Sequence, residues 1–179
     1  LVDVDLLSFD ANNPRFTPDK APMGGTDVAV IVELSRSADL SELIQSISRS
    51  GYINIEPMIV LERDDRLIVL EGNRRLAALK VLRESELAQR AKVSVPPMDA
   101  GVVQTLSKVL VHRVAKEEDA LAIIGFKHIN GPQSWDAFAK ARFAARWLRQ
   151  QEGASSRLSL PDIAAKMGDE HATIHRMVF

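Results

Sequence analysis

Cysteine is missing from all 179 residues, which removes disulfides, thiolate zinc sites, iron–sulfur ligation and thiol nucleophiles together. No apolar run approaches the ~20 residues that a bilayer-spanning helix needs. The most apolar stretch near the start, Val28 to Val32, is closed off by Asp27 and Glu33. Neither sign of charge prevails, with 23 Lys plus Arg against 24 Asp plus Glu and a formal net charge of −1. The Gly-Lys-Ser/Thr ending of a Walker loop is absent. His171 and His175 stand four apart, but Ala172 follows the first where a zinc-protease helix has Glu, so that metal motif is absent too.

What is present is ordinary globular composition: 46% hydrophobic, 26% charged, nine Gly and eight Pro. A chain of this length builds one core with a small satellite. Freedom from cysteine fits a cytoplasmic protein, and the lack of a spanning apolar run predicts no membrane partner. The chain begins at Leu1 and stops at Phe179 inside a helical pattern, so we expect a piece of a longer protein. Charge shifts along the chain: residues 1–50 are acidic by four, 51–139 are balanced, and 140–179 are basic by three. A positive C-terminal face is the kind of surface that nucleic acid takes.

The pattern predicts an α+β protein, with a mixed small sheet and helices over 1–115 and an all-helical region over 116–179. Val2 to Leu6 alternates as a short strand. Asn12-Asn13-Pro14-Arg15 is a turn, and Ala21 to Gly25 is a connector. Thr26 or Asp27 caps a helix to about Leu34. A second helix carries Leu40, Leu43, Ile44 and Ile47 at helical spacing and stops at Gly51. Pro57–Leu61 and Leu67–Leu70 form a hairpin. A helix from Leu76 to about Ala91 follows, closed by Pro96-Pro97, and Val109–Val114 is a strand. Further helices are expected over roughly 116–126, 134–151, 160–167 and 172–178.

One local unit carries chemistry. Val69-Leu70-Glu71-Gly72-Asn73-Arg74-Arg75-Leu76 runs a buried strand into a glycine turn and then a helix. The first helical turn exposes unpaired N–H groups and the positive end of the dipole. Arginine forks suit phosphate oxygens, and a glycine without Cβ allows close approach. Together these make an anion site. The alternative is that Arg74 and Arg75 are solvated or paired with Glu71 and Glu84.

The run Asp39-Leu40-Ser41-Glu42-Leu43-Ile44-Gln45-Ser46-Ile47, then Gly51, Glu56-Pro57-Met58-Ile59-Val60 and Gly72-Asn73-Arg74-Arg75 resembles the ParB N-terminal domain, of the class shared with sulfiredoxin. The likeness spans most of residues 1–115. Sulfiredoxin chemistry needs a cysteine, so that branch is excluded. The resemblance implies that Gly72, Asn73, Arg74 and Arg75 bind nucleotide phosphates, of CTP, ATP or another nucleoside triphosphate, with Mg²⁺ as the companion ion. It marks Arg15 of the early Pro-Arg segment, Gly51, Lys127 and His128 as further nucleotide contacts. Protomers of that family often complete the site for one another, which implies a homodimer.

The hydrolytic members carry a Glu-Asn-x-x-Arg motif on the next helix. Ile124-Gly125-Phe126-Lys127-His128 stands there instead, without the carboxylate or the amide, and a hard cation wants oxygen ligands. No protein metal ligand is therefore assigned. Glu71 is the nearest candidate for a catalytic carboxylate, or else an ion-pair partner for the arginines. His128 could donate to a phosphate or act as a base, or instead cap its helix. An enzyme of this class, an NTPase, phosphotransferase or nuclease using the same site, is the alternative to a nucleotide-regulated DNA-binding protein.

Leu160 to Arg176 reads as a helix–turn–helix within 158–178, with Pro161 in the first turn and Gly168 between the helices. Ile163, Met167, Ile174 and Met177 would face its core. His171, Thr173, His175 and Arg176 would face DNA. ParB proteins carry such a unit at this position. Trp135, Phe138, Phe143 and Trp147 form a core stripe, opposite an outward basic face of Lys140, Arg142, Arg146 and Arg149.

Overall fold

The structure, a computed structural model, describes residues 1–10, 12–13, 16, 25–37, 40–130, 137–151 and 158–167. It is a mixed α+β protein with, among the described residues, eight α-helices and two small sheets. The chain divides into two compact units, Leu1–Asn12 with Lys20–Ala115, and Asn13–Asp19 with Lys116–Phe179.

In the first unit, β3 (Met58–Arg63) and β4 (Arg66–Glu71) form the hairpin that the two apolar runs predict. Asp64 and Asp65 turn it with φ of 50° and 58°, the left-handed pair of a type I′ hairpin turn. β2 (Leu7–Phe9) joins β4 in parallel, and β6 (Val111–Val114) joins β3 in parallel. The sheet order is β2-β4-β3-β6. Its two central strands carry long apolar runs whose consecutive residues, Met58–Leu61 and Val69–Glu71, are buried, so both faces are shielded there. α1 (Asp27–Ser37), α2 (Leu40–Ser50) and α3 (Asn73–Arg83) pack on one another, and α3 also lies against β2. Every residue of α3 from Leu76 to Leu82 is buried, so it is the central helix of this unit.

Several expectations are corrected here. Val2–Leu6 is not one strand. β1 (Val2–Asp3) ends where the Asp3 carboxylate accepts the Asp5 N–H, at 3.0 Å, and winds Val4–Leu6 into a 3₁₀ turn. The first helix continues past Leu34 to Ser37, capped by the Thr26 hydroxyl, which accepts the Ala29 N–H at 3.3 Å. The helix after Gly72 is two helices, α3 and α4 (Ser85–Arg90), because Glu84 is extended at φ −119° and ψ 94°. A short α5 (Ala100–Thr105) follows Pro97 where no element was expected.

The strand over Val109–Val114 is broken into β5 (Lys108–Val109) and β6. The break at Leu110 has a cause: the Asn54 amide accepts from Leu110 N at 2.7 Å and donates to Lys108 O at 3.2 Å. That intrusion takes two ladder groups out of the strand.

The second unit contains α6 (Glu117–Asn130), α7 (Ala137–Gln150) and α8 (Leu160–Met167), packed on one another. Phe143 and Trp147 are buried edge to face, with ring centres 5.8 Å apart. Ile163 is buried as expected. Ser159 and Asp162 make a reciprocal cap at the start of α8: Ser159 N donates to the Asp162 carboxylate at 2.9 Å, and Asp162 N to the Ser159 hydroxyl at 3.3 Å. The basic face of α7 is not wholly outward. Arg146 pairs with Glu117, and Arg142 has a buried Nη1 without a hydrogen-bond partner. Trp135, the side chain of Phe138 and the helix expected over 172–178 lie outside the described residues. No described helix is long and apolar enough to cross a membrane.

Candidate phosphate-binding site

Glu71 is the last residue of β4, and Gly72 then turns the chain at φ 110° and ψ 9° into α3. That conformation is one an L side chain rarely adopts. A Cβ at Gly72 would also stand 2.8 Å from Met58 Cγ. Sequence reasoning gave the missing Cβ to an approaching anion; in the structure Met58 takes up that space, so packing and φ already require glycine.

Asn73, 4% exposed, is spoken for through its side chain. Its Nδ2 donates to Val69 O at 2.7 Å, and its Oδ1 accepts the Asp10 N–H at 3.3 Å. Asp10 in turn accepts the Asn12 N–H at 2.9 Å. The amide of Asn73 thus ties the end of β2 to the turn.

Arg75 folds back over the turn, with Nη2 3.3 Å from the Cβ position of Gly72. Its Nη1 donates to Glu56 O at 2.6 Å and its Nη2 to Glu71 Oε2 at 2.9 Å, with Glu56 Oε2 at 3.7 Å. Glu71, itself buried, is therefore an ion-pair partner of Arg75. Tyr52 joins this group. Burial raises its phenol above the usual tyrosine range, the charge and hydrogen bond of Arg75 oppose that shift, and Glu71 and Glu56 add to it.

α3 has no side-chain cap and no acidic residue in its first turn, where Arg74 and Arg75 stand instead. Two cations at the positive end of a helix dipole run against the usual preference. A phosphate placed there would answer both the dipole and the guanidinium groups. An anion there would meet the first-turn N–H groups and Arg74, and would compete with Glu71 and Glu56 for Arg75.

Gly51 ends α2 at φ 78°, its N–H donating to Ile47 O at 2.9 Å. A Cβ there would meet Thr105 Oγ1 at 3.0 Å, and that hydroxyl accepts the Tyr52 N–H at 2.8 Å. Gly51 thus serves the turn and the approach of α5. Lys127 and His128 are on α6 in the second unit, and nothing is described of the His128 side chain. Arg15, His171, Thr173, His175 and Arg176 lie outside the described residues. Among the described residues no group of three or more His, Asp or Glu could hold a metal ion.

Sequence reasoning missed Tyr52, Asp10 and Met58 as parts of this site. Tyr52 directly follows Gly51 and is the only tyrosine in the chain, which is the one signal that could have found it. Comparison with known proteins returned no match to any family model, curated protein or solved structure.

Proposed function

We propose that this protein binds a nucleotide by its phosphates at the Gly72 turn, and that occupancy regulates DNA binding or protomer association. The observation that carries the reading is the uncapped first turn of α3, which holds Arg74 and Arg75 and no acidic residue. Main-chain N–H groups of that turn and the Arg74 and Arg75 guanidinium groups hold the phosphates. Asn73 shapes the turn from beneath through Val69 and Asp10. The likeness to the ParB domain supplies the ligand class, CTP, ATP or another triphosphate with its Mg²⁺, and it supplies the homodimer and a cytoplasmic setting. In this reading α8 is the first helix of a DNA-binding helix–turn–helix that continues to His171, Thr173, His175 and Arg176.

The test is thermal unfolding with CTP, ATP, GTP and UTP, with and without Mg²⁺, on the chain and on Arg74→Ala. A ligand at a hundred times its Kd stabilises by about 2.7 kcal/mol, which for this length raises the midpoint by roughly 5–10 °C. One nucleotide should produce that shift, and Arg74→Ala should abolish it. No shift with any nucleotide at millimolar concentration would sink the reading. The DNA half is checked by titrating duplex DNA at rising salt, where log K should fall linearly with log salt.

A further inference from the structure

Charge is missing from one part of the first unit's surface. Residues 50–55, which end α2 and open the next loop, and residues 100–107, which hold α5, contain fourteen residues and no charged side chain. A chain that is 26% charged would place about four there. The two segments run side by side. Tyr52 N donates to Thr105 Oγ1 at 2.8 Å, a Cβ on Gly51 would meet the same hydroxyl at 3.0 Å, and the Asn54 amide bonds to Lys108 O and Leu110 N. Those bonds pin the loop, yet Ile53 is 65% and Ile55 81% exposed, and Val103 on α5 is 48% exposed. No residue of α5 is buried. These apolar side chains contribute little to the core, while the fixed main chain spares a partner the cost of ordering it. An apolar surface depleted of charge has the composition of the centre of a protein–protein interface.

We propose that this surface pairs with a second copy of the chain about a twofold axis, with α5 antiparallel to α5 of the other copy. Charge selects that partner. Asp99 stands just before α5 and Lys108 just after it, both exposed and neither in an ion pair among the described residues. A twofold axis through α5 brings the acidic end of each copy to the basic end of the other. Two opposite-charge contacts then form at the rim, and no like charges meet at the uncharged centre. The segment is thus its own complement. Three exposed apolar side chains and a helix of six residues are fewer than the roughly 20–30 residues that each side of a standard interface supplies. The pairing is therefore a weak one, with a Kd in the micromolar range or above. It rests on the homodimer of the reading above and makes no use of the phosphate site.

The experiment is sedimentation equilibrium of the whole chain from low micromolar to submillimolar concentration, with and without CTP and ATP. A monomer–dimer equilibrium is expected. Ile53→Ser combined with Ile55→Ser, both at exposed positions, should weaken it about tenfold and leave the unfolding midpoint unchanged. Asp99→Lys and Lys108→Asp should each weaken it about threefold. Asp99 makes no side-chain cap to α5, so its reversal leaves the helix start intact. An equimolar mixture of the two reversed chains should associate as tightly as the parent, because each copy again meets opposite charge at both ends. Dimerisation that ignores the isoleucine and charge variants overturns this surface and leaves the homodimer standing. A mixture that stays as weak as either reversed chain alone overturns the twofold arrangement. A monomer under every condition overturns both the second copy as partner and the homodimer. The nucleotide-induced shift in Tm judges the phosphate site separately.

Discussion

Two helices of the first unit begin in opposite ways. α1 opens on Thr26, whose hydroxyl takes the Ala29 N–H, and its first residue, Asp27, places a carboxylate at the positive helix end. That carboxylate also receives Lys80 Nζ at 2.8 Å, over the Phe9 ring. The cap and the acidic residue at that helix end both come from the helix's own start. α3 opens on a glycine with no cap and two arginines. Its far end is conventional, with Lys80 and Arg83 in the last turn, where cations suit the dipole. At the first turn of α3 the carboxylates that face Arg75 come from outside the helix, Glu71 from β4 and Glu56 from the loop before β3.

The sharpest way to break the contrast is Gly72→Ala. The positive φ and the 2.8 Å approach to Met58 should together destabilise by about 3 kcal/mol, read from urea unfolding. A milder loss would mean that the turn relaxes and that glycine is there for another reason. Next comes Asn73→Ala, which leaves Val69 O and Asp10 N without their buried partner and should cost about 2 kcal/mol. Folded Asn73→Ala should still bind nucleotide, since its side chain is engaged by Val69 and Asp10. Thr26→Ala should remove about 1 kcal/mol from α1 and leave nucleotide affinity untouched. Arg74→Ala is the converse: it should change stability by less than about 0.5 kcal/mol yet abolish the nucleotide-induced shift in Tm. Equal effects of these last two substitutions on binding would erase the difference between the two helix starts.

The smallest effect concerns the other end of α3. Arg83 donates to both Asp5 oxygens, at 2.6 and 2.8 Å, and this hydrogen-bonded charge holds the Asp5 carboxyl below its usual value of 3.8. A depressed carboxylate contributes stability that is fully present above the unfolded value and is lost as pH falls through the folded one. The Asp5 side chain is 59% exposed, so solvent screens the pair and the contribution is small. Asp5→Asn should flatten the acid limb of the stability curve below about pH 4 and leave neutral pH nearly unchanged.

The sequence was most legible where local rules decide. The hairpin shows in two apolar runs, the stop of α2 in Gly51, and the strand–glycine–helix unit in the spacing around Gly72. Where a distant residue decides, it was not. Nothing near Val109–Val114 announces that Asn54 will split the strand. Asp3 turns its strand with one short side-chain bond. α5 has too few residues for a helical period to appear among Gly101, Val102 and Val103.

The same division runs through the site. Gly72, Arg74 and Arg75 were visible as a pattern, but the partners that determine what Asn73 and Arg75 do come from Asp10 and Glu56, which are 63 and 19 residues away. Of the two roles the sequence offers for Glu71, catalytic carboxylate or ion-pair partner, the second is visible in its 2.9 Å contact with Arg75.

The parallel pairing of β2 with β4, Leu7 against Leu67, also sets an order of assembly. The β3–β4 hairpin closes over two residues and can form early, whereas parallel partners so distant in sequence must first close a long loop. Gly72 sits at the end of the early hairpin. The Asp10 N–H that Asn73 accepts arrives with the late strand. By that reasoning the Asn73 amide meets Asp10 only once the N-terminal strand docks, so the turn after β4 gains its most distant side-chain contact later than the hairpin that leads into it.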